Sequence, residues 1–135
     1  MDGYSATPLA KKLGIKSGFT IRLINAPPNY HSLFDDWPED VIHSHKATDK
    51  NDFIHYFTTS AGELNRDMKL LKNEMKSTGM IWISWPKKSS KVVTDITEDA
   101  IREIGLKSGL VDVKVCAVDE TWSGLKFVFR LKDRK

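Results

Sequence analysis

The 135-residue sequence lacks several features that would assign it to particular classes of protein. It has one cysteine, Cys116, so it can form neither an internal disulfide nor a zinc site built on several cysteines. Its longest apolar run, Met80 to Trp85, is far shorter than the ~20 residues that span a bilayer. The first residues lack the basic and apolar stretches of a secretory signal. We therefore expect a cytoplasmic domain without membrane contact.

The sequence also lacks a basic stripe of the kind that follows a nucleic-acid backbone. The formal net charge is +3, but residues 126–135 hold five basic groups and one acidic group. The rest of the chain has 16 basic and 17 acidic side chains, so the excess of positive charge lies in the tail. We interpret the tail as a solubilising end and do not expect nucleic-acid binding. Weak binding of nucleic acid through the tail is left as an alternative.

Helix and strand signals alternate along the chain, with no repeat and no Pro/Gly/Ser linker to divide it. We expect a single domain over residues 1–135, with loose ends at 1–6 and 132–135. The predicted elements are helices at 7–14, 29–36, 61–75 and 97–107, and strands at 19–25, 41–45, 53–58, 80–85, 111–118 and 125–131.

The strand patterns indicate how the sheet is built. Strand 80–85 is apolar on both faces except at Ser84, which is typical of a strand covered on both sides in a parallel sheet. The last two strands alternate apolar and polar residues and are close in sequence, so they should form an antiparallel hairpin that buries Val111, Val113 and Val115. The predicted fold class is α/β: a three-layer sandwich with a Rossmann-like, mostly parallel sheet that ends in an antiparallel hairpin.

Ligands of open parallel sheets bind beyond the carboxyl ends of the strands. The loops predicted at that edge are rich in polar and aromatic side chains, and the ammonium and hydroxyl groups after Trp85 could hold an anion near a helix N-terminus. The alternative is a solvated surface loop whose lysines serve solubility. The predicted ligand-binding residues are Asn25, Trp85, Lys87, Lys88, Ser89 and Trp122.

The first of these loops, residues 25–29, has no glycine. A glycine-rich turn normally lets the backbone approach a dinucleotide or S-adenosylmethionine closely. Here Pro27 and Pro28 remove two backbone donors instead, and Asp49 is a poor substitute for the acidic residue that holds a ribose. We therefore expect no cofactor of this kind, and no S-adenosylmethionine-dependent methyl transfer.

Three groups of residues could carry other chemistry. Asp119 and Glu120 are candidate general bases, with Lys87 as an electrostatic stabiliser; alternatively, 119–124 is only a hairpin turn. His43 and His45 share a strand face and could bind zinc with His55 on a neighbouring strand. We favour edge-strand histidines without a special role and expect no metal site. The lone thiol of Cys116 is expected to be inert.

Several strings resemble a bacterial family, Domain of Unknown Function 3052. The matching segments are Gly3–Ile15, Leu23–Pro27, Ile83–Lys88, Thr94-Asp95 and Val111–Lys126. The resemblance covers about residues 3–130, and its most specific strings are S-W-P-K-K and C-A-V-D-E-T-W-S-G-L-K. It implies a bacterial protein of a family without an established activity. The order of elements separately resembles the methyltransferase version of the Rossmann fold, which also closes with a strand hairpin.

These observations give one main functional hypothesis. We expect a binding or regulatory domain, not an enzyme, that uses no cofactor and recognises a small anionic ligand or a protein partner. The alternative is an enzyme of unknown reaction that uses Asp119 or Glu120 with Lys87. The sequence leaves the oligomeric state open.

Overall fold

A computed structural model describes residues 7–46 and 49–134, so the expected loose end at 1–6 lies outside the described residues. These described residues form three α-helices and six strands. The helices are α1 (Leu9–Leu13), α2 (Ala61–Asn73) and α3 (Glu98–Lys107), and the strands are β1 (Thr20–Ile24), β2 (Ile42–His43), β3 (Asn51–Phe57), β4 (Met75–Pro86), β5 (Leu110–Ala117) and β6 (Trp122–Phe129). Short 3-10 turns lie at His31–Leu33, Lys88–Ser90 and Leu131–Asp133.

The six strands form one sheet in the order β2-β1-β3-β4-β6-β5. Strands β1 to β4 are parallel, whereas β6 is antiparallel to both β4 and β5. This arrangement confirms the predicted fold class. The strand order reverses between β1 and β3, so their carboxyl ends mark the switch point at which open α/β sheets bind ligands.

The helices cover the two faces of the sheet. On one face, α1 and the segment around Tyr30 bury Ile21, Phe53 and Trp82. The indole of Trp82 donates to the carbonyl of Leu13 at 2.8 Å, which ties β4 to α1. On the other face, α2 and α3 cover a second apolar core that includes Ile54, Ile81, Ile83, Leu125 and Phe127.

Side-chain caps at their first turns position α2 and α3. The Ser60 hydroxyl accepts from the Glu63 amide at 3.1 Å, and the Thr97 hydroxyl accepts from the Ala100 amide at 3.1 Å. Helix α3 lies directly on β6 because its residue 105 is glycine. A Cβ at Gly105 would stand 2.1 Å from Cε1 of Phe127.

Three local predictions are wrong. In β5, Val113 and Val115 are 51% and 43% exposed, because the pairing with β6 shifts between Asp112 and Lys114 and leaves Val113 as an extra residue. The second strand is only two residues long. His55 lies on β3 in the middle of the sheet, not at an edge. Within residues 7–46 and 49–134, no helix is long and apolar enough to cross a membrane.

Candidate functional site

The turn after β1 lies at the switch point of the sheet. Asn25 has φ 58°, in the left-handed region that usually calls for glycine, and asparagine is among the few other residues that tolerate it. Its side-chain amide donates to the Phe57 carbonyl at 3.3 Å and so joins the ends of β1 and β3. The sharp turn that we expected to need glycine is therefore made by Asn25.

The rest of this loop differs from a glycine-rich loop. Pro27 lacks an N–H, and its carbonyl accepts from the Tyr30 amide at 3.0 Å. Of the helix predicted at 29–36, only the 3-10 turn His31–Leu33 forms. On the other side of β1, the short strand β2 ends at His43, which pairs with Ile21. The carboxylate of Asp49, considered above for a ribose, accepts from the Ser44 hydroxyl at 2.9 Å.

A cleft of about 840 Å³ opens at the carboxyl end of β4. Three predicted ligand-binding residues line it: Trp85, Lys87 and Lys88. Ser89 is exposed within the adjacent 3-10 turn. The opposite wall, which the sequence did not indicate as a site, consists of the start of α3 and the residues before it: Thr94, Asp95, Ile96, Thr97, Glu98 and Asp99.

Two residues of that opposite wall also form hydrogen bonds to the loop after β3 and to the start of α2. The Thr94 hydroxyl donates to the Thr59 carbonyl at 2.6 Å, and the Asp95 carboxylate accepts from the Ala61 amide at 2.9 Å. The cleft is therefore braced against the N-terminus of α2. The one sequence signal at this wall was the string Thr94-Asp95, which belongs to the family resemblance but carries no residue pattern of a known site.

The candidate bases lie in the β5–β6 hairpin. One carboxylate oxygen of Asp119 accepts from the amides of Thr121 and Trp122, at 2.8 and 2.7 Å, and so shapes the turn. Glu120 is exposed. The backbone amide of Lys87 donates to the Thr121 carbonyl at 2.8 Å, which brings the two loops together.

The side chains of Lys87 and of the two candidate bases nevertheless do not line the same cleft. The cleft that Lys87 lines takes its carboxylates from Asp95, Glu98 and Asp99, and neither Asp119 nor Glu120 lines it. Two of these acids already pair with the guanidinium of Arg102, Glu98 at 2.7 Å and Asp99 at 3.2 Å.

The predicted ligand-binding residues thus fall into two groups. Asn25 and Trp122 both contact Phe57, and the rings of Trp122 and Phe57 are perpendicular with centroids 5.1 Å apart. This group lies at the switch point, on the α1 side of the sheet. The other group, Trp85, Lys87 and Lys88, lines the cleft beside α3.

The histidines considered as zinc ligands are separated. His43 is exposed and stacks on Trp37 with ring centroids 5.9 Å apart, while its ring centroid is 5.2 Å from that of His31. Partial burial, followed by the charges of His31 and His45, lowers the pKa of His43. His55 is fully buried elsewhere. In the described part of the chain, no group of three or more His, Cys, Asp or Glu side chains could hold a metal ion.

The buried imidazole of His55 has a partner at each ring nitrogen. The hydroxyl of Tyr30 lies 2.9 Å from Nδ1, and that of Ser84 lies 2.7 Å from Nε2. A neutral ring has one donor and one acceptor nitrogen, so it accepts from one hydroxyl and donates to the other. Burial lowers the pKa of His55 to about 3, and the ring stays neutral at pH 7. Both ring nitrogens of His55 therefore have hydrogen-bond partners within the core.

Solved structures that share this fold include several that are named as methyltransferases. The fibrillarin pre-rRNA processing protein of Methanococcus jannaschii is 15% identical, with 93% of this chain and 70% of its own covered at a TM-score of 0.58. A SAM-dependent methyltransferase from Aquifex aeolicus is 16% identical, with 87% and 85% covered at 0.59. Magnesium protoporphyrin IX methyltransferase from Synechocystis, with bound SAM, is 12% identical, with 90% and 74% covered at 0.55. No family model and no curated protein matches the chain.

These comparisons correct the main functional hypothesis. The prediction of a non-enzymatic binding or regulatory domain is wrong, because the structural neighbours are methyltransferases and favour an enzyme. The expectation against S-adenosylmethionine-dependent methyl transfer is wrong for the same reason. Asn25 adopts a left-handed φ of 58° without glycine, which is compatible with this correction, although Pro27 and Pro28 still lack two backbone donors. The Rossmann-like fold of this group of proteins is shared by the chain.

Proposed function

We propose that this protein is an enzyme of the methyltransferase type that binds S-adenosylmethionine at the switch point between β1 and β3. The observation that carries the proposal is the left-handed turn at Asn25, which supports the same local backbone shape as a glycine turn. The topology adds support, since open α/β sheets bind their ligands at this point.

The left-handed turn at Asn25 would allow the backbone to approach the cofactor, although the donors of this loop differ from those of a glycine-rich loop. Pro27 and Pro28 offer no N–H, so Asn25 and Ala26 are the residues of the turn that would hold the cofactor. S-adenosylmethionine, when bound, supplies an electrophilic methyl group. Trp122 stands against Phe57 at the same end of the sheet and would shield that group from water.

The acceptor that we propose is a small anionic molecule that binds in the cleft at the end of β4 and extends over the carboxyl end of the sheet to the switch point. Lys87 and Lys88 would bind its negative charge, and Trp85 would form an apolar wall. Asp119 and Glu120 remain the candidate bases in the adjoining hairpin. The strings around Trp85 and Trp122 are also the reason to propose membership of the Domain of Unknown Function 3052 family.

Substitution of Asn25 tests the proposal. Glycine accepts a positive φ without strain, whereas a β-branched residue resists it. We expect Asn25→Gly to bind S-adenosylmethionine within about threefold of the wild type in isothermal titration calorimetry, and Asn25→Val to bind at least tenfold more weakly. A wild-type protein that shows no binding at millimolar cofactor would refute the proposal. Far-UV circular dichroism of each variant reports whether the fold is kept.

The anionic acceptor is tested separately. Small phosphates and carboxylates, used as probes, should raise the melting temperature of the wild type but not of the Lys87→Gln/Lys88→Gln variant. The matched control, Lys69→Gln/Lys107→Gln, makes the same change of charge on α2 and α3. An equal response of both variants would remove the acceptor site and leave the cofactor proposal standing.

A further inference from the structure

Four lysines from distant parts of the sequence converge on the α1 side of the antiparallel end of the sheet. We define them as the lysine face: Lys12, Lys16, Lys114 and Lys126. Lys114 and Lys126 are directly opposite each other on β5 and β6. The ammonium group of Lys126 lies 4.0 Å from the position that a Cβ at Gly14 would occupy, so this face borders the end of α1.

The remaining lysines complete the face. Lys12 reaches across from α1 and donates to the carbonyl of Ala117 at 3.0 Å. Burial, followed by the charges of Lys114 and Lys16, lowers the pKa of Lys126. Burial raises the pKa of the half-buried Cys116 thiol beside them, and the charges of Lys12 and Lys114 oppose that rise. Lys126 is thus close enough to Lys114 and Lys16 for their charges to repel its own, and Lys12 and Lys114 both lie near Cys116.

A β-bulge creates this repulsion. With regular pairing, Val113 would lie opposite Lys126, because Asp112 pairs with Phe127. The extra residue instead moves Lys114 into that position and leaves Val113 exposed. Bulges often re-aim a side chain, and like charges directly opposite on neighbouring strands are unfavourable. The bulge therefore places a second lysine on this face, although the repulsion between the two lysines lowers the stability of the fold.

The described chain provides no acid to compensate. In residues 7–46 and 49–134, none of the four lysines forms an ion pair, although seven ion pairs occur elsewhere. A cluster of cations held together without a counter-charge suits a ligand that carries several negative charges.

An aromatic ring extends the same surface. Trp122 lies on the same face of β6 as Lys126, two alternate positions away and therefore about 14 Å along the strand. The ring is partly exposed. Sites for single-stranded nucleic acids combine a cationic track for the backbone with an aromatic ring on which a base stacks.

We propose that the lysine face and Trp122 bind single-stranded nucleic acid, with phosphates on the lysines and a base on the indole. The surface lies across the sheet from the cleft of Lys87 and Lys88, and its binding does not depend on methyl transfer. The basic tail is a separate region: Arg134 donates to the Phe129 carbonyl at 2.8 Å and Arg130 to the Leu106 carbonyl at 3.2 Å.

Fluorescence anisotropy with a labelled 20-nucleotide oligouridine tests the proposal. We expect Lys114→Gln/Lys126→Gln to bind at least tenfold more weakly than the wild type. The slope of log affinity against log salt should become shallower by about 1.4, the value for two lost contacts with a single strand. The control Lys69→Gln/Lys107→Gln, which changes α2 and α3 by the same charge, should bind like the wild type.

Two further measurements separate nucleic acid from other anions. Trp122→Leu should weaken oligouridine binding about tenfold, while Trp122→Phe should retain most of it because the aromatic face persists. Inorganic polyphosphate of equal charge should compete poorly. The proposal is overturned if the two lysine pairs are equivalent, or if polyphosphate competes fully and Trp122→Leu binds normally. Trp122 also belongs to the proposed cofactor site, so the lysine pair separates the two proposals: loss of oligouridine binding with intact S-adenosylmethionine binding in Lys114→Gln/Lys126→Gln leaves the proposed function untouched.

Discussion

One row of residues crosses the α1 side of the sheet and changes character along its length. His55 pairs in register with Trp82, Trp82 with Lys126, and Lys126 with Lys114. At the inner end, His55 is fully buried and both of its nitrogens have hydroxyl partners. At the outer end, Lys126 and Lys114 face each other without a described acid, two and three strands, or about 10 and 14 Å, away from His55.

The difference shows what each end contributes. A buried polar group that is satisfied internally stabilises one packing arrangement and offers nothing to a ligand. A cluster of like charges without a counter-charge lowers the stability of the folded protein. An anion that binds there removes this cost. The inner end therefore serves the fold, and the outer end is where we place an interaction. Three stability measurements test this division, in order of expected effect.

The largest effect should be the pH dependence caused by His55. Its pKa in the folded protein is about 3, against about 6.5 when unfolded, so the unfolded chain binds the extra proton between these values. This stability is present above pH 6.5 and is lost as the pH falls towards 3. Between pH 7 and 4.5 we expect a loss of about 2.5 kcal/mol from this group, measured by urea unfolding.

The variant His55→Gln isolates this contribution, because glutamine can both donate and accept but does not titrate. Its unfolding free energy should fall about 2.5 kcal/mol less than that of the wild type over the same pH range. Identical pH profiles for the two proteins would mean that the buried ring is not held neutral by the fold.

The second effect concerns the hydroxyl of Tyr30. Tyr30→Phe leaves Nδ1 of His55 buried without a partner, which should cost about 1–3 kcal/mol in unfolding free energy. Tyr56→Phe is the comparison, since that hydroxyl bonds the partly exposed carboxylate of Asp67 at 2.7 Å and water can replace it. We expect a smaller loss there. A reversed order would show that the buried network is not what orders this region.

The smallest effect should have the opposite sign. Lys114→Glu replaces the repulsion with Lys126 by an attraction across the strand pair, and should stabilise the protein by about 0.5 kcal/mol. The same variant should lose oligouridine binding. Lys69→Glu on α2 provides the matched exposed control. If Lys114→Glu destabilises the protein, the lysine pair is not a source of internal strain.

Local signals predicted much of this fold. The helices predicted at 61–75 and 97–107 depend on neighbours within a few residues, and α2 and α3 occupy those segments. Trp85, Lys87 and Lys88 line one cleft, and their role as ligand-binding residues stays a prediction.

The sequence did not indicate the opposite wall of that cleft, because Thr94 and Asp95 gain their place through bonds to a loop some 34 residues earlier. Residue patterns over a few positions do not reveal contacts between segments that are this far apart in the sequence. The absence of glycine at the first turn was also given too much weight, because a left-handed conformation is open to asparagine.

The sequence by itself determined the alternation of strands and helices, the closing hairpin and the apolar core, since these follow from periodicity and local caps. Only the tertiary structure decided the faces of β5, the burial of His55 and the meeting of four lysines. A single extra residue at Val113 reverses which side chains face α1, and its presence depends on pairing with β6. The charge that looked confined to a tail therefore includes a cluster assembled from two ends of the chain.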